Sequence, residues 1–300
     1  MKENFKKGIC AIMGSNGYLG KHLSGYLSKM GYQVYNYDIQ QSSELNNYNQ
    51  IDIRKIDQFD KLPSEISCIF HMSGITGTHK GFSDYREFIE TNEIGLLNLL
   101  TYIKNTNPNI RVIFPSSRLV YRGFDRPLKE EDEKDAKTIY AVNKLASELL
   151  LKIYNLRFGI PFYIFRICIP YGNCYEDNYS FGTIGAFLEM AKNRQNIVLF
   201  GDGSNKRTFT FINDVCFQIF SIIETAGAEN EIYNIAGETF TLEDVAKLIA
   251  ARFKVSVDKT DWNKEDLIIE SGHTYFDSVK ISNLVTRPVK TKLTDWVNSL

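Results

Sequence analysis

Apolar and polar positions along the first half of the chain switch repeatedly between two periods. Short runs rich in β-branched and aromatic residues, at 9–13, 33–37, 68–72, 111–114 and 162–168, alternate with longer stretches whose apolar residues recur at helical spacing, at 19–30, 84–104 and 138–158. Strands separated by helices cannot be joined by hairpins, so the order predicts an α/β fold with a parallel, doubly wound sheet. Gly31 stands at the C-cap of the first helix, and Pro108 between two asparagines ends the helix over 84–104. Beyond Tyr171 the pattern loosens into loops, a helix over 184–192, a Gly201-Asp202-Gly203 turn, and then strand, helix, strand and helix. The predicted division is a first domain over 1–172, to which 207–236 returns, and a smaller α/β cap over most of 173–300. The polar stretches 40–50 and 129–135 read as solvated loops.

Composition narrows the partners. With 35 basic and 36 acidic residues in 300, the net charge of −1 argues against a broad surface for nucleic acid or anionic lipid, so an anionic ligand has to be held locally. The five cysteines, Cys10, Cys68, Cys168, Cys174 and Cys216, lack metal-ligand spacing, and two lie in apolar runs. They read as reduced, packed thiols, with no metal site. No apolar run approaches the ~18 residues of a membrane span, and the basic start of the chain leads into a short apolar segment and glycines instead of a cleavage site. A cytoplasmic protein without membrane attachment is expected.

The first strand-to-helix turn reads Gly14-Ser-Asn-Gly17-Tyr-Leu-Gly20. At a helix N-terminus the unpaired backbone N–H groups carry partial positive charge, and glycines leave a pyrophosphate room to approach them. Asp38 closes the next strand, where its carboxylate can accept hydrogen bonds from a ribose diol and repel a 2′-phosphate. The combination predicts dinucleotide binding, with NAD preferred over NADP. Further on, Tyr140 and Lys144 are spaced to share one face of the helix over 138–158. A phenol, with a pKa of about 10, is a poor base at neutral pH unless a nearby cation favours the phenolate. Pro115-Ser116-Ser117 ends the strand before that helix, where open α/β sheets bind ligands.

With these residues in place the sequence resembles the extended short-chain dehydrogenase/reductase family, the NAD-dependent epimerase/dehydratases of nucleotide sugars. The resemblance spans nearly the whole chain. It also rests on Asp52-Ile53, Asn92 in Thr-Asn-Glu-Ile-Gly95, Ser116-Ser-Arg-Leu-Val-Tyr121, Arg166-Ile-Cys-Ile-Pro-Tyr-Gly172, Arg207-Thr-Phe-Thr-Phe-Ile-Asn-Asp214 and Tyr233-Asn-Ile-Ala236. It implies a Rossmann domain with Ser117 as catalytic serine, Tyr140 as acid/base and Lys144 as its electrostatic partner, which also touches the nicotinamide ribose. Gly14, Asn16, Gly17, Tyr18, Leu19 and Asp38 are implied to bind the cofactor, together with Met72, Ser73, Gly74 and the supporting Ser116. Asp52 and Ile53 are implied at the adenine. Asn92 either joins this group or bridges backbone within its own helix. Arg207 is implied to clamp the substrate diphosphate, a task suited to a bidentate guanidinium, while Asp214 reads as structural.

The chain also departs from the family pattern. Where dehydratases carry Thr-Asp-Glu it has Ser117-Arg118-Leu119, so the acidic pair for elimination is missing, as is the decarboxylase glutamate. Ile169 replaces an asparagine of many epimerases, and Thr208 follows Arg207 in place of aspartate. Arg118, His79 and Lys80 either add positive charge at the pocket mouth or are ordinary surface residues. His71 reads as a packed, hydrogen-bonded core histidine, and Cys168 and Cys174 as packing residues. The leading expectation is an NAD-dependent nucleotide-sugar epimerase, UDP-glucose 4-epimerase-like, that oxidises to a 4-keto sugar and re-reduces it. The alternative is an NAD(P)H-dependent 4-keto reductase of a deoxysugar nucleotide. A redox-sensing or scaffold protein would not need all of Ser117, Tyr140 and Lys144. A homodimer through the helices over 84–104 and 138–158 is implied by the resemblance.

Overall fold

A computed structural model describes residues 7–172 and 182–300, so Cys174 lies outside the described residues. The chain forms two compact units. The first comprises Met1–Val120, Thr138–Phe165 and Ile223–Tyr233. Its strands are β1 (Ile9–Met13), β2 (Gln33–Asp38), β3 (Tyr48–Gln50), β4 (Ile66–His71), β5 (Arg111–Ser117) and β6 (Phe162–Ile167). With Glu231–Asn234 they make a seven-stranded sheet, in which β4 and β2 flank β1, and β5 and β3 lie outside them. The pairs β1–β2, β1–β4, β2–β3 and β4–β5 are parallel. The chain therefore leaves β1 in one direction and later crosses to its other side. That reversal opens a crevice at the carboxyl ends of β1 and β4.

Helix α1 (Tyr18–Lys29) follows β1. The helix expected over 84–104 is interrupted. Short helices α2 (Lys80–Ser83) and α3 (Tyr85–Ile89) lead into a π turn at Glu90–Ile94, and α4 (Gly95–Thr106) continues from it. Leu96, Leu99, Leu100 and Ile103 of α4 are each 0% exposed and follow the i, i+3, i+4, i+7 stripe against Ile69, Val112 and Phe114 of the sheet. Each contributes about 1.5–3 kcal/mol of burial. Helix α5 (Ile139–Phe158) is capped by Thr138, whose side chain accepts from the Ala141 N–H at 3.2 Å, and it ends at Gly159 with φ 73°. Its buried face holds Asn143, Lys144, Ser147 and Glu148 as well as Ala141 and Leu151, so polar groups occupy what is usually an apolar stripe.

Two polar stretches hold more structure than a solvated loop. Within 40–50, Tyr48–Gln50 form the edge strand β3 because Asn36–Asp38 leave a free strand edge for it. Within 129–135, Glu130 is buried and accepts from the Asn234 N–H at 2.8 Å.

The second unit comprises Tyr121–Lys137, Arg166–Ile222 and Asn234–Leu300. Its strands are β7 (Ile169–Tyr171), β8 (Ile197–Phe200), β9 (Lys206–Phe211), β11 (Glu238–Thr241) and β12 (Val257–Thr260), with β10 the strand Glu231–Asn234 named above. β9 lies between β7 and β11, and β8 pairs with β12. Helices α6 (Thr183–Lys192), α8 (Leu242–Phe253) and α11 (Leu293–Ser299) close a core around Phe187, Ile249 and Trp296. Helix α7 is Ile212–Ile223, and α9 (Lys264–Ile269) and α10 (Val279–Ser282) are short. Of the stretch 207–236, only Ile223–Tyr233 rejoins the first unit, because β9 is held by its pairing with β7 and β11. Tyr121–Lys137 and Arg166–Gly172 likewise belong to the second unit. Among the described residues no helix is long and apolar enough to cross a membrane, and no cluster of His, Cys, Asp or Glu is placed to hold a metal.

Candidate active site

The loop after β1 is shaped by its glycines. Gly14 has φ 81°, and a Cβ there would fall 2.5 Å from the Ser73 nitrogen, so only glycine lets this loop touch the loop after β4. A Cβ on Gly20 would meet the Gly14 carbonyl at 2.2 Å. Exposed Gly17 is the N-cap of α1, with no capping side chain and no acidic residue in the first turn formed by Tyr18, Leu19 and Gly20. The helix end is therefore open to an anion. Beside it the Ser15 hydroxyl is buried with no hydrogen-bond partner. Bare backbone, an uncapped helix end and an orphaned hydroxyl fit a dinucleotide pyrophosphate.

Asp38 ends β2 facing this loop, where its carboxylate accepts from the Asn16 N–H at 3.0 Å and the Gln40 N–H at 3.3 Å. The Asn16 side chain turns to the neighbouring loop, donating to Gln40 and to the Ser42 carbonyl and accepting from Ser43. Asp52 is gripped by the Arg54 guanidinium at 2.8 and 2.9 Å, which holds its carboxyl below the usual range. Ile53 is buried, packs where a Gly95 Cβ would sit, and its carbonyl accepts from Asn98. The Met72 N–H donates to the Met13 carbonyl at 2.8 Å, which places Ser73 and Gly74 beside the glycine loop.

Ser117, Tyr140 and Lys144 come together at the end of β5. Tyr140 is hydrogen-bonded to Ser117, and burial pushes its phenol up to about 12 against the opposing pull of that bond and of the Arg118 charge. Arg118, half-buried in the turn after Ser117, thus acts on the phenol. The Lys144 ammonium donates to the Pro115 carbonyl at 2.7 Å and lies 4.5 Å from the Phe114 ring centre and 5.7 Å from that of Tyr140. Burial lowers its pKa to about 8, and the charge of Glu148 opposes the fall. Ser116 donates to Glu148 at 2.5 Å. Asn92, in the π turn, bridges backbone outside its own helix: it accepts from the Ile75 N–H at 2.8 Å and donates to the Ile75 carbonyl and to Asn143.

His71 corrects an expectation. It is packed, with its ring stacked on Phe114 at 6.1 Å, but neither ring nitrogen has a hydrogen-bond partner. Burial, then the Lys144 charge, lowers its pKa to about 3, so the ring stays neutral. Glu148 was missed in the sequence. Its signal is the spacing Tyr140, Lys144, Glu148, which continues one face of α5 by a further turn.

In the second unit Arg207 is 1% exposed. Its guanidinium is paired with Glu270 at 2.6 Å and donates to the carbonyls of Lys206 and Gly272. The diphosphate clamp implied by resemblance is thus already occupied by a carboxylate of the same unit. Ile169 is buried in β7 opposite Phe209. The Thr208 hydroxyl accepts from the Phe276 N–H, and Cys168 accepts from the Thr208 N–H and donates to the Thr274 carbonyl. Asp214 accepts from the N–H groups of Lys290 and Thr291 at 2.9 and 2.8 Å, a structural task. His79 and Lys80 are exposed, and Lys80 lies 4.0 Å from Asp84.

The pattern of the NAD dependent epimerase/dehydratase family matches residues 10–236. The chain is 29% identical over 246 residues to a UDP-N-acetyl-alpha-D-glucosaminuronate decarboxylase of Bacillus cytotoxicus, covering 76% of this chain and 75% of that one. It is 25% identical over 249 residues to a UDP-glucuronate 4-epimerase of Thermodesulfobacterium geofontis, covering 77% and 75%. Among solved structures, a UDP-N-acetylglucosamine 4-epimerase from Methanobrevibacter ruminantium M1 superposes with a TM-score of 0.84 at 20% identity, covering 98% and 96%. A UDP-glucuronic acid 4-epimerase from Bacillus cereus, solved with UDP-glucuronic acid and NAD, gives 0.82 at 21%, covering 96% of each. At such identities the structural likeness establishes the fold.

Proposed function

Because the chain belongs to the NAD dependent epimerase/dehydratase family, we propose that it is a nucleotide-sugar 4-epimerase, which oxidises the sugar to its 4-keto form and re-reduces it on the other face. NAD supplies the hydride acceptor and donor when bound. The glycine loop Gly14–Gly20 and Asp38 are suited to hold its pyrophosphate and ribose.

The reading is carried by one observation: the Tyr140–Ser117 hydrogen bond at the carboxyl end of β5, with the Lys144 ammonium beside the phenol ring. Ser117 holds the sugar oxygen, Tyr140 takes the C4 hydroxyl proton and later returns it, and Lys144 favours the phenolate. A phenol held near 12 is protonated at neutral pH. The cationic surroundings of the assembled site have to bring it down before it can act as a base. Leu119 supplies no carboxylate for elimination or decarboxylation, which supports epimerisation over either of those reactions. A cytoplasmic location belongs to the same reading, in keeping with the buried thiols Cys10, Cys68 and Cys216.

The test is to incubate the protein and NAD with UDP-, dTDP-, GDP- and CDP-hexoses and follow the C4 epimer by proton NMR. Interconversion without net change in NADH is expected. Consumption of NADH with a 4-keto sugar would identify a reductase instead, and failure of every nucleotide sugar to bind or react would overturn the assignment.

A further inference from the structure

Helix α5 carries Tyr140, Lys144 and Glu148 one turn apart, and the last two are 6% and 2% exposed. A carboxylate is kept in an interior only where it is paired and hydrogen-bonded. Here Oε1 of Glu148 accepts the Ser116 hydroxyl at 2.5 Å, and Ser116 is the chain neighbour of Ser117. The carboxylate thus reaches from the helix to the strand end that presents the serine, one turn beyond an ammonium of opposite charge. Resting on the roles of Tyr140 and Lys144 given above, we propose that Glu148 is a positioning residue for the reaction. Its carboxylate keeps Lys144 an ammonium ion inside the protein and, through Ser116, fixes the end of β5.

The other charged or titratable groups around this pair have different partners. From β4, His71 faces Lys144 as a neutral ring. From the π turn, Glu93 accepts from Asn143. From the turn after β5, Arg118 bears on Tyr140, which shares the helix with Lys144. The charge that sustains the Lys144 ammonium against its burial is that of Glu148. With glutamine at 148 burial acts unopposed, so Lys144 loses its proton at lower pH. The alkaline limb of activity then moves in the acidic direction. A merely structural role would lower stability and leave that titration in place.

The experiment is an NMR titration of the cofactor-free protein labelled with carbon-13 at the lysine ε position, with the Lys144 signal identified by its loss in Lys144→Met. Wild type is expected to titrate at about 8. Glu148→Gln is expected lower by about one pH unit or more, and Glu148→Asp, which keeps the charge, within about half a unit of wild type. In turnover, Glu148→Gln is expected to lose ~5-fold or more at about pH 8 relative to wild type and less at lower pH, with Glu148→Asp restoring most of the rate. A folded Glu148→Gln protein with an unshifted Lys144 titration would overturn the proposal. Should that variant not fold, the carbon-13 carboxyl resonance of Glu148 in wild type decides: a carboxylate shift at neutral pH supports the role, and a carboxylic acid shift overturns it. The lysine titration needs no substrate, so its outcome is separate from whether any nucleotide sugar is turned over.

Discussion

Tyr140 meets opposing demands, since burial favours its neutral form while the proposed chemistry needs the phenolate. Tyr140→Phe keeps the ring and removes only the oxygen. We expect turnover to fall by ~10²-fold or more with NAD binding unchanged, measured by steady-state kinetics and calorimetry; a near wild-type rate would remove Tyr140 from the chemistry. With Asp38 proposed at the cofactor ribose, its carboxylate would repel a 2′-phosphate, so NAD is expected to bind at least ~10-fold more tightly than NADP. Equal affinities in calorimetric titrations would take Asp38 away from the ribose. His71 makes a prediction about stability. Its folded pKa of about 3 lies below the ordinary 6.5, so the unfolded chain binds the proton more readily. The stabilisation is complete above pH 6.5 and is lost as pH falls toward 3, on the order of 5 kcal/mol in all. Urea unfolding of wild type and His71→Leu from pH 7 to 4 checks it: the variant should lose less stability on acidification, and parallel curves would refute the assignment.

At the scale of elements, the clearest consequence concerns β9. Arg207 was expected from family resemblance to clamp the substrate diphosphate, but it ties β9 to the 270–272 segment through Glu270 and the Gly272 carbonyl. Removing the buried Arg207 leaves the half-buried Glu270 without its cation and the Lys206 and Gly272 carbonyls without this donor. Arg207→Ala is therefore expected to destabilise the protein by about 3 kcal/mol, seen as a lower urea midpoint, in addition to any loss of substrate affinity. An unchanged midpoint would show that the pair carries no structural weight. The elements themselves were legible to different degrees. α1 and α5 announced themselves by long periodic runs, and α1 also by Gly31, whereas the π turn at Glu90–Ile94 left no mark because one extra residue per turn changes neither composition nor polarity. β3 was hidden because three residues hold too little alternation, and its pairing was offered by the edge of β2.

For the molecule as a whole, the first unit leaves a stripe of apolar side chains in solvent. Val142, Leu149, Ile153 and Leu156 of α5 are 47–88% exposed, and Ile89 and Ile94 near the π turn are 40% and 42% exposed. Surface leucines are ordinary singly, but a row at helical spacing on one helix marks an interface. A homodimer that packs these helices against their copies is proposed, with light scattering near twice 34.5 kDa expected. A mass near 34.5 kDa that does not change with concentration would count against it. Leu156→Glu should shift a dimer toward monomer, because a carboxylate would be buried without a partner.

The sequence by itself determined the α/β class, the glycine loop with Asp38, and the spacing of Ser117, Tyr140 and Lys144. These are local facts: hydrophobic period, a glycine where backbone must stay bare, and two side chains one helical turn apart are all written along the chain. Tertiary structure decided which polar groups are spent on one another. Asp52 is held by Arg54, Arg207 by Glu270, Asp214 by the backbone at 290–291, and Asn92 by Ile75, while His71 is left with no hydrogen-bond partner for either ring nitrogen. A charge or amide reads the same in sequence whether it faces a ligand or a neighbour. The difference is a matter of a few ångströms between residues up to 76 or 77 positions apart, a distance that only the folded chain can set.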